Sequence, residues 1–391
     1  MPIKFTEEQE MFRDTARTFA QKEVEPLANA IDRDDTIPTA LYKKAAELGF
    51  YGLYTPEAYG GVGQNLTSAC LVLEEIAKAS PSFAGILSVQ WLLCPKTLDM
   101  IGTEEQKQRF LVTSATGEKA MAWSSTEPSG TIYHRKHQAK ITPDGNGYRL
   151  NGVKIFCTQG EADTFLVFAK SEKDGKVGYG GVIVERGMEG FKPAKPEDKL
   201  GWRGTHTGTI VYDDIYIPAE NLLGDFYTAR ADVMLANSLG SMGHSATSLG
   251  CLEGMFDKTV AYVKDRELYG GPMSRLQPVS YWLAEIWAKI EACRALLYAT
   301  AASYDDGRPD ELGASACKAY IGDTAAECTS RLLQLWGGSG IMNDTGVNRY
   351  FRDAKTKLIA EGSSEIHYDG IASYVLGIEG NLSFEMDQPK K

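Results

Sequence analysis

Apolar residues recur at steps of three and four through the first part of the chain. Between residues 6 and 31, Phe12, Ala16, Phe19, Ala20, Val24, Leu27 and Ile31 fall on one side of a helix. Pro38 suits a first helical turn, which predicts a second helix running through Leu48. From Tyr54-Thr55-Pro56 to Gly60-Gly61-Val62-Gly63 the composition is that of a loop. Helical spacing resumes over about Ser68–Ala79, Phe83–Ile101 and Glu104–Leu111. Near residue 120 the pattern shortens. β-branched and aromatic runs at Val153–Phe156, Thr164–Ala169, Val182–Glu185 and Thr209–Ile217 alternate with the turn clusters Asp144-Gly145-Asn146-Gly147 and Asp174-Gly175-Lys176. These read as strands of an antiparallel sheet or small barrel. After about residue 226 the spacing is helical again, broken by Asp305-Asp306-Gly307-Arg308-Pro309 and Gly337-Gly338-Ser339-Gly340. The predicted class is α+β, mostly α. It comprises a helical domain over 1–118, an antiparallel β domain over 119–225 and a helical domain over 226–391.

The 391 residues are 43% hydrophobic and 24% charged, enough to bury large cores and ordinary for a globular protein. A net charge of −11 argues against binding a nucleic-acid backbone or an acidic lipid surface. It leaves room for a local basic pocket, for which Arg266 and the Tyr133-His134-Arg135-Lys136 run are candidates. No apolar run approaches the about 18 residues of a membrane helix. The first residues, MPIKFTEEQEMF, lack the apolar centre of a secretory leader, so no leader is expected. Seven cysteines, an odd number without a C-x-x-C pair, point to a reducing cytoplasm and to small core residues rather than disulfides. Five histidines, of which only His134 and His137 are close, show no metal-ligand spacing, so no metal is expected. Nucleotide-binding glycine fingerprints and a nucleophile elbow are also missing from the sequence.

Six unusual segments remain. They are Trp123-Ser124-Ser125-Thr126-Glu127-Pro128, Phe156-Cys157-Thr158-Gln159-Gly160, Leu200-Gly201-Trp202-Arg203-Gly204, Arg266-Glu267-Leu268-Tyr269-Gly270, Gln334-Leu335-Trp336-Gly337-Gly338-Ser339-Gly340, and Arg352-Asp353-Ala354-Lys355 leading into Ala360-Glu361-Gly362-Ser363-Ser364-Glu365-Ile366. In this order, inside a helix–sheet–helix layout, the chain closely resembles the acyl-CoA dehydrogenase flavoenzyme family from Phe5 to about Gly377. The resemblance implies a C-terminal four-helix bundle, a homotetramer, FAD as cofactor, an acyl-CoA substrate and an electron-transferring flavoprotein as partner. It also implies α,β-dehydrogenation: a carboxylate takes the α-proton of an acyl thioester and the β-hydrogen leaves as hydride to flavin N5.

By this resemblance Glu361 is the base, and its main-chain N–H helps polarise the thioester carbonyl as an oxyanion-hole donor does. Trp123, Ser125, Thr126, Phe156 and Thr158 fall on positions around the flavin ring. Arg266 falls on an arginine that reaches the FAD pyrophosphate across a subunit boundary. Tyr269, Gln277, Gln334, Gly338, Ser363 and Glu365 fall on other FAD positions, and Trp91, Ser129, Ser238, Ser241, Ala360 and Gly362 on substrate positions.

Several positions depart from the family pattern. Pro128 is followed by Ser129-Gly130-Thr131 where a longer Gly-Ser-Asp run is usual, and Ser238 and Ser241 replace an Asp/Arg pair along the pantetheine path. The alternative base position falls at Gly240, which strengthens the assignment to Glu361. Ala360 replaces an aromatic residue and leaves space for a bulky, cyclic or branched acyl group, or for different packing from Trp91. Ser88-Val89-Gln90 resembles glutaryl-CoA dehydrogenases, but Ala84 occupies the position of their carboxylate-binding arginine. A carrier-protein-bound thioester, or an oxidase or reductase on the same scaffold, is the alternative expectation.

Overall fold

The computed structural model describes residues 3–130, 137–173, 176–193, 196–225 and 230–378. The Tyr133-His134-Arg135-Lys136 run, the Asp174-Gly175 turn and the tail beyond Ile378 lie outside the described residues.

Thr6 and Gln9 form a reciprocal capping box that starts α1 (Glu7–Phe19). The predicted single stripe then breaks into a π turn at Ala20–Val24, a 3₁₀ turn at Glu25–Leu27 and α2 (Ala28–Asp34). Pro26 has no N–H to continue an α-helical ladder, which accounts for the break. There follow α3 (Thr39–Glu47), α4 (Leu66–Ala79, capped by Asn65) and α5 (Pro81–Ser88, capped by Ser80). A π segment at Val89–Leu93 carries Gln90 and Trp91 into α6 (Cys94–Ile101). Two short helices, α7 (Glu104–Gln106) and α8 (Val112–Ala115), close this part.

The central strands are β1 (Met121–Ser124), β2 (Lys140–Asp144), β3 (Gly147–Cys157), β4 (Thr164–Lys173), β5 (Lys176–Glu185), β6 (Phe191–Lys192), β7 (Gly208–Pro218) and β8 (Leu222–Leu223). They form one sheet in the order β6-β7-β3-β2-β4-β5-β8, with β1 paired to β4. The sheet is mixed rather than wholly antiparallel, because β1 and β2 each pair with β4 in parallel. Asp144–Gly147 makes the predicted hairpin between β2 and β3. The β3–β7 register shifts between Lys154 and Cys157, a bulge that bends the end of β3.

The C-terminal part is α9 (Arg230–Asp265), a two-stranded hairpin of β9 (Glu267–Leu268) and β10 (Gly271–Pro272), α10 (Gln277–Asp305), α11 (Glu311–Trp336), α12 (Val347–Ile359) and α13 (Ser364–Leu376). Helix α9 packs against α4, α10, α11 and α12, so one apolar core joins the first and last parts of the chain. A second core lies within the sheet, and a third joins Val89, α6, Phe110 and Leu111 to β1, β4 and β5. All seven cysteines are free and buried, as small core residues are. Among the described residues no helix is long and apolar enough to cross a membrane.

Candidate active site

Helix α12 ends at Ile359, and the chain turns through Ala360, Glu361 and Gly362 before α13 begins. Glu361 has φ +60° and Gly362 φ +85°. A left-handed glutamate is uncommon and persists only where its surroundings hold it. Two buried-side donors hold this one. His367 Nε2 lies 3.1 Å from the Glu361 carbonyl oxygen, and Lys318 Nζ donates to Gly362 O at 2.8 Å. The strained turn aims the carboxylate inward at α9, leaving its side chain 16% exposed. There Gly240 makes room for it: a Cβ at that position would clash with Glu361 Oε1. His244, one turn further along α9, places Nε2 3.5 Å from Glu361 Oε2.

Burial raises the Glu361 carboxyl to about 7, against the opposing pull of Lys318 and Lys357. The same burial lowers Lys357 to about 7 and Lys318 to about 8. Lys357 Nζ donates to Thr247 Oγ1 at 2.5 Å and lies 4.5 Å from the centre of the Trp202 ring. Trp202, itself left-handed at φ +56°, donates its backbone N–H to Asp353 at 2.7 Å. Arg352 donates to Leu200 O at 3.0 Å and pairs with Asp32 of α2. The Leu200–Gly204 and Arg352–Asp353 segments are thus two sides of one joint, which docks a sheet-domain loop onto the helix that leads into Glu361.

A second group gathers at the adjacent ends of β1 and β3. Ile155 N–H donates to Thr126 O at 2.9 Å, and Cys157 Sγ donates to Trp123 O at 3.2 Å. The bulge turns Phe156 outward at φ +56°, leaving the residue 64% exposed, with Thr158 half-buried beside it. Beneath them Lys154 and Glu127 form a fully buried ion pair at 2.7 Å, and Lys154 also donates to Ser125 O at 2.8 Å. The Ser125 hydroxyl meets Tyr179 OH at 3.1 Å. Gln90, wholly buried, bonds both Met121 backbone groups and the Gln159 side chain, tying α5–α6 to both strand ends.

The remaining predicted positions are dispersed. Arg266, Tyr269, Gln277, Gln334 and Gly338 are exposed at the far end of the long helices, Tyr269 almost completely so. Arg266 and Trp336 line a hollow of about 460 Å³ with Lys258, Tyr262 and Thr345. Along α9, Gly240 and Arg266 are about 39 Å apart at 1.5 Å per residue. Ser363 and Glu365 flank the start of α13, near Gly362 and Ala360. Ser129 is exposed in the Glu127–Gly130 turn. Ser238 and Ser241 are buried, and Ser238 is already bonded to Leu235 O and Tyr304 OH, both at 2.7 Å. Trp91 is buried in the core against Phe50. The sequence reading missed Gln90, His244, Lys318, Lys357 and His367 as site residues. The spacing of His244 from Gly240, one helical turn, is the one sequence signal that could have drawn attention to it.

These features define a helix–sheet–helix protein with a buried, proton-accepting carboxylate. Its strand ends offer an exposed aromatic ring and two hydroxyls, a surface that fits a flat, hydrogen-bonding cofactor. The chain matches the acyl-CoA dehydrogenase N-terminal domain over residues 6–118, the middle domain over 122–215 and the C-terminal domain over 233–376. It is 36% identical over 368 residues to the short-chain-specific acyl-CoA dehydrogenase of Clostridium acetobutylicum, covering 94% of this chain and 97% of that one. It is 36% identical over 383 residues to acryloyl-CoA reductase (NADH) of Anaerotignum propionicum, covering 96% of each. The solved butyryl-CoA dehydrogenase of Megasphaera elsdenii superposes with a TM-score of 0.92 at 34% identity, over 96% of this chain and 100% of that one. The chain belongs to the acyl-CoA dehydrogenase family: it is an oxidoreductase acting on acyl-CoA, with FAD as cofactor.

Proposed function

We propose that this chain catalyses α,β-dehydrogenation of an acyl-CoA thioester with Glu361 as the base. The observation that carries this reading is the Glu361 carboxyl, buried on a strained turn and poised at about 7, where it can exchange a proton near neutral pH. Trp123, Ser125, Thr126, Phe156 and Thr158 would hold the flavin ring of FAD, with Ser363 and Glu365 contributing from the start of α13. When bound, FAD supplies the acceptor for the β-hydride. The protein's own part is to take the α-proton onto a Glu361 oxygen. His367 and Lys318 meanwhile hold the Glu361 and Gly362 carbonyls in place.

Arg266, Tyr269, Gln277, Gln334 and Gly338 stand too far along the bundle to share a cofactor with Glu361 of the same chain. We assign them to the FAD of a neighbouring subunit in a homotetramer. Exposed apolar side chains on α10, after α11 and on α13, among them Trp287, Ile341, Tyr374, Val375 and Leu376, support such assembly. The electrons would pass to an electron-transferring flavoprotein.

Ala360 beside the base favours a bulky, cyclic or branched acyl group over a straight chain. A second reading changes the handle. Ser129 stands in a tight Glu127–Gly130 turn where the resemblance implies a longer Gly-Ser-Asp run, and Ser238 is engaged by Tyr304 and Leu235 where it implies an acidic residue; these departures from the CoA-contacting pattern leave room for a thioester carried on a protein. Anaerobic flavin bleaching by one acyl group presented on CoA and on a carrier protein separates the two. Bleaching at low concentration by the CoA ester supports the first reading, and by the carrier-bound form alone the second. In either case, faster bleaching by butyryl than by branched or cyclic esters contradicts the assignment of the acyl group.

A further inference from the structure

Glu361 is faced from five elements: His244 on α9, Lys318 on α11, Lys357 on α12, His367 on α13 and Cys94 on α6. Lys318 spends its hydrogen bonds on Gly362 O and Leu358 O, and Lys357 on Thr247. His367 is bonded to the Glu361 carbonyl rather than the carboxylate. Among the described residues, the basic nitrogen within 4 Å of the carboxylate is His244 Nε2, at 3.5 Å.

His244 is 2% exposed, its ring set against Trp202 with centroids 5.1 Å apart. Burial first, then Lys357 and Lys318, hold it well below its usual range, so it is neutral and carries one N–H. Its Nδ1 has no hydrogen-bond partner among the described residues. Placing the proton on Nδ1 would bury a donor without an acceptor and turn the Nε2 lone pair toward a carboxylate. Placing it on Nε2 aims a donor at the carboxylate 3.5 Å away and leaves only a weak acceptor unpaired. The second tautomer is favoured. The separation of 3.5 Å is long for a hydrogen bond, as catalytic bonds are before substrate closes the site.

We propose that His244 is a positioning residue for the Glu361 base, donating through Nε2–H to the ionised carboxylate and fixing its orientation. This rests on Glu361 being the base. A donor to the charged form favours ionisation, so its loss raises the pH at which the base works. The neighbouring lysines act through space, whereas His244 also selects one rotamer of the carboxylate.

The test is the rate of anaerobic flavin bleaching as a function of pH in the FAD-loaded enzyme and its variants. His244→Leu is expected to move the rising limb upward by about one pH unit, losing about tenfold at acidic pH and little at alkaline pH. His244→Gln, whose amide nitrogen sits near the position of Nε2, should restore most of the shift. His244→Asn, one bond shorter, should behave like Leu and serves if the Leu variant fails to hold FAD. An unmoved limb in Leu or Asn, or an equal loss at every pH, overturns the proposal. Glu361→Gln, measured alongside, separates the two readings: bleaching by that variant overturns the base itself, whereas its inactivity with an unmoved His244 limb overturns only the positioning role.

Discussion

Gly240 on α9 supplies the space that the Glu361 carboxylate occupies, and a single methyl group there would collide with Oε1. By the resemblance, Gly240 falls on the alternative base position of some family members, and in this chain its missing side chain leaves the space that Glu361 fills. Gly240→Ala should therefore displace the carboxylate by about 1 Å and slow flavin bleaching by about a hundredfold. Alanine is the better helix former, so the melting temperature should fall little. Wild-type bleaching by the Ala variant would show that the socket is not used.

The buried Glu127–Lys154 pair supports the Ser125–Thr126 strand end. Removing one partner strands the other charge, which costs about 3–5 kcal/mol. Glu127→Ala and Lys154→Met should each lower the denaturation midpoint and release FAD on gel filtration. A double replacement by apolar residues should recover part of the stability.

Stability should depend on pH in two opposite ways. Lys357 drops from 10.5 to about 7 on folding, so between these values the unfolded chain holds a proton the folded chain does not. Stability then rises with pH across that window and is lost as pH falls through 7. Glu361 goes the other way, from 4.5 to about 7, so its contribution is present below 4.5 and lost as pH rises to 7. Melting curves of Lys357→Met should lack the alkaline rise, and those of Glu361→Gln the loss between pH 4.5 and 7.

The exposed apolar side chains of the bundle predict self-association. Trp287 and Tyr374 are 56% and 72% exposed. Sedimentation should show a tetramer, and replacing both by glutamate should give smaller species with reduced FAD content.

Local chemistry made much of this fold legible. Pro38 leads into a helix, Asp144–Gly147 turns a hairpin, and the order of helices, strands and helices follows from hydrophobic period alone. The parallel pairing of β1 with β4 was not legible, because it joins strands forty residues apart and leaves no local signal. The same distinction holds at the site. Glu361 stood out within its motif, whereas Lys318 and Lys357 read as ordinary helix positions. Their meaning comes from burial and from partners on other helices, which tertiary packing alone creates.

The central claim is that Glu361 removes the α-proton. Stopped-flow flavin bleaching under anaerobic conditions, comparing wild type with Glu361→Gln at saturating thioester, tests it most directly. The variant should retain FAD and its absorption spectrum, while bleaching slows by about three orders of magnitude. Bleaching at the wild-type rate by an FAD-loaded Glu361→Gln enzyme would contradict the account.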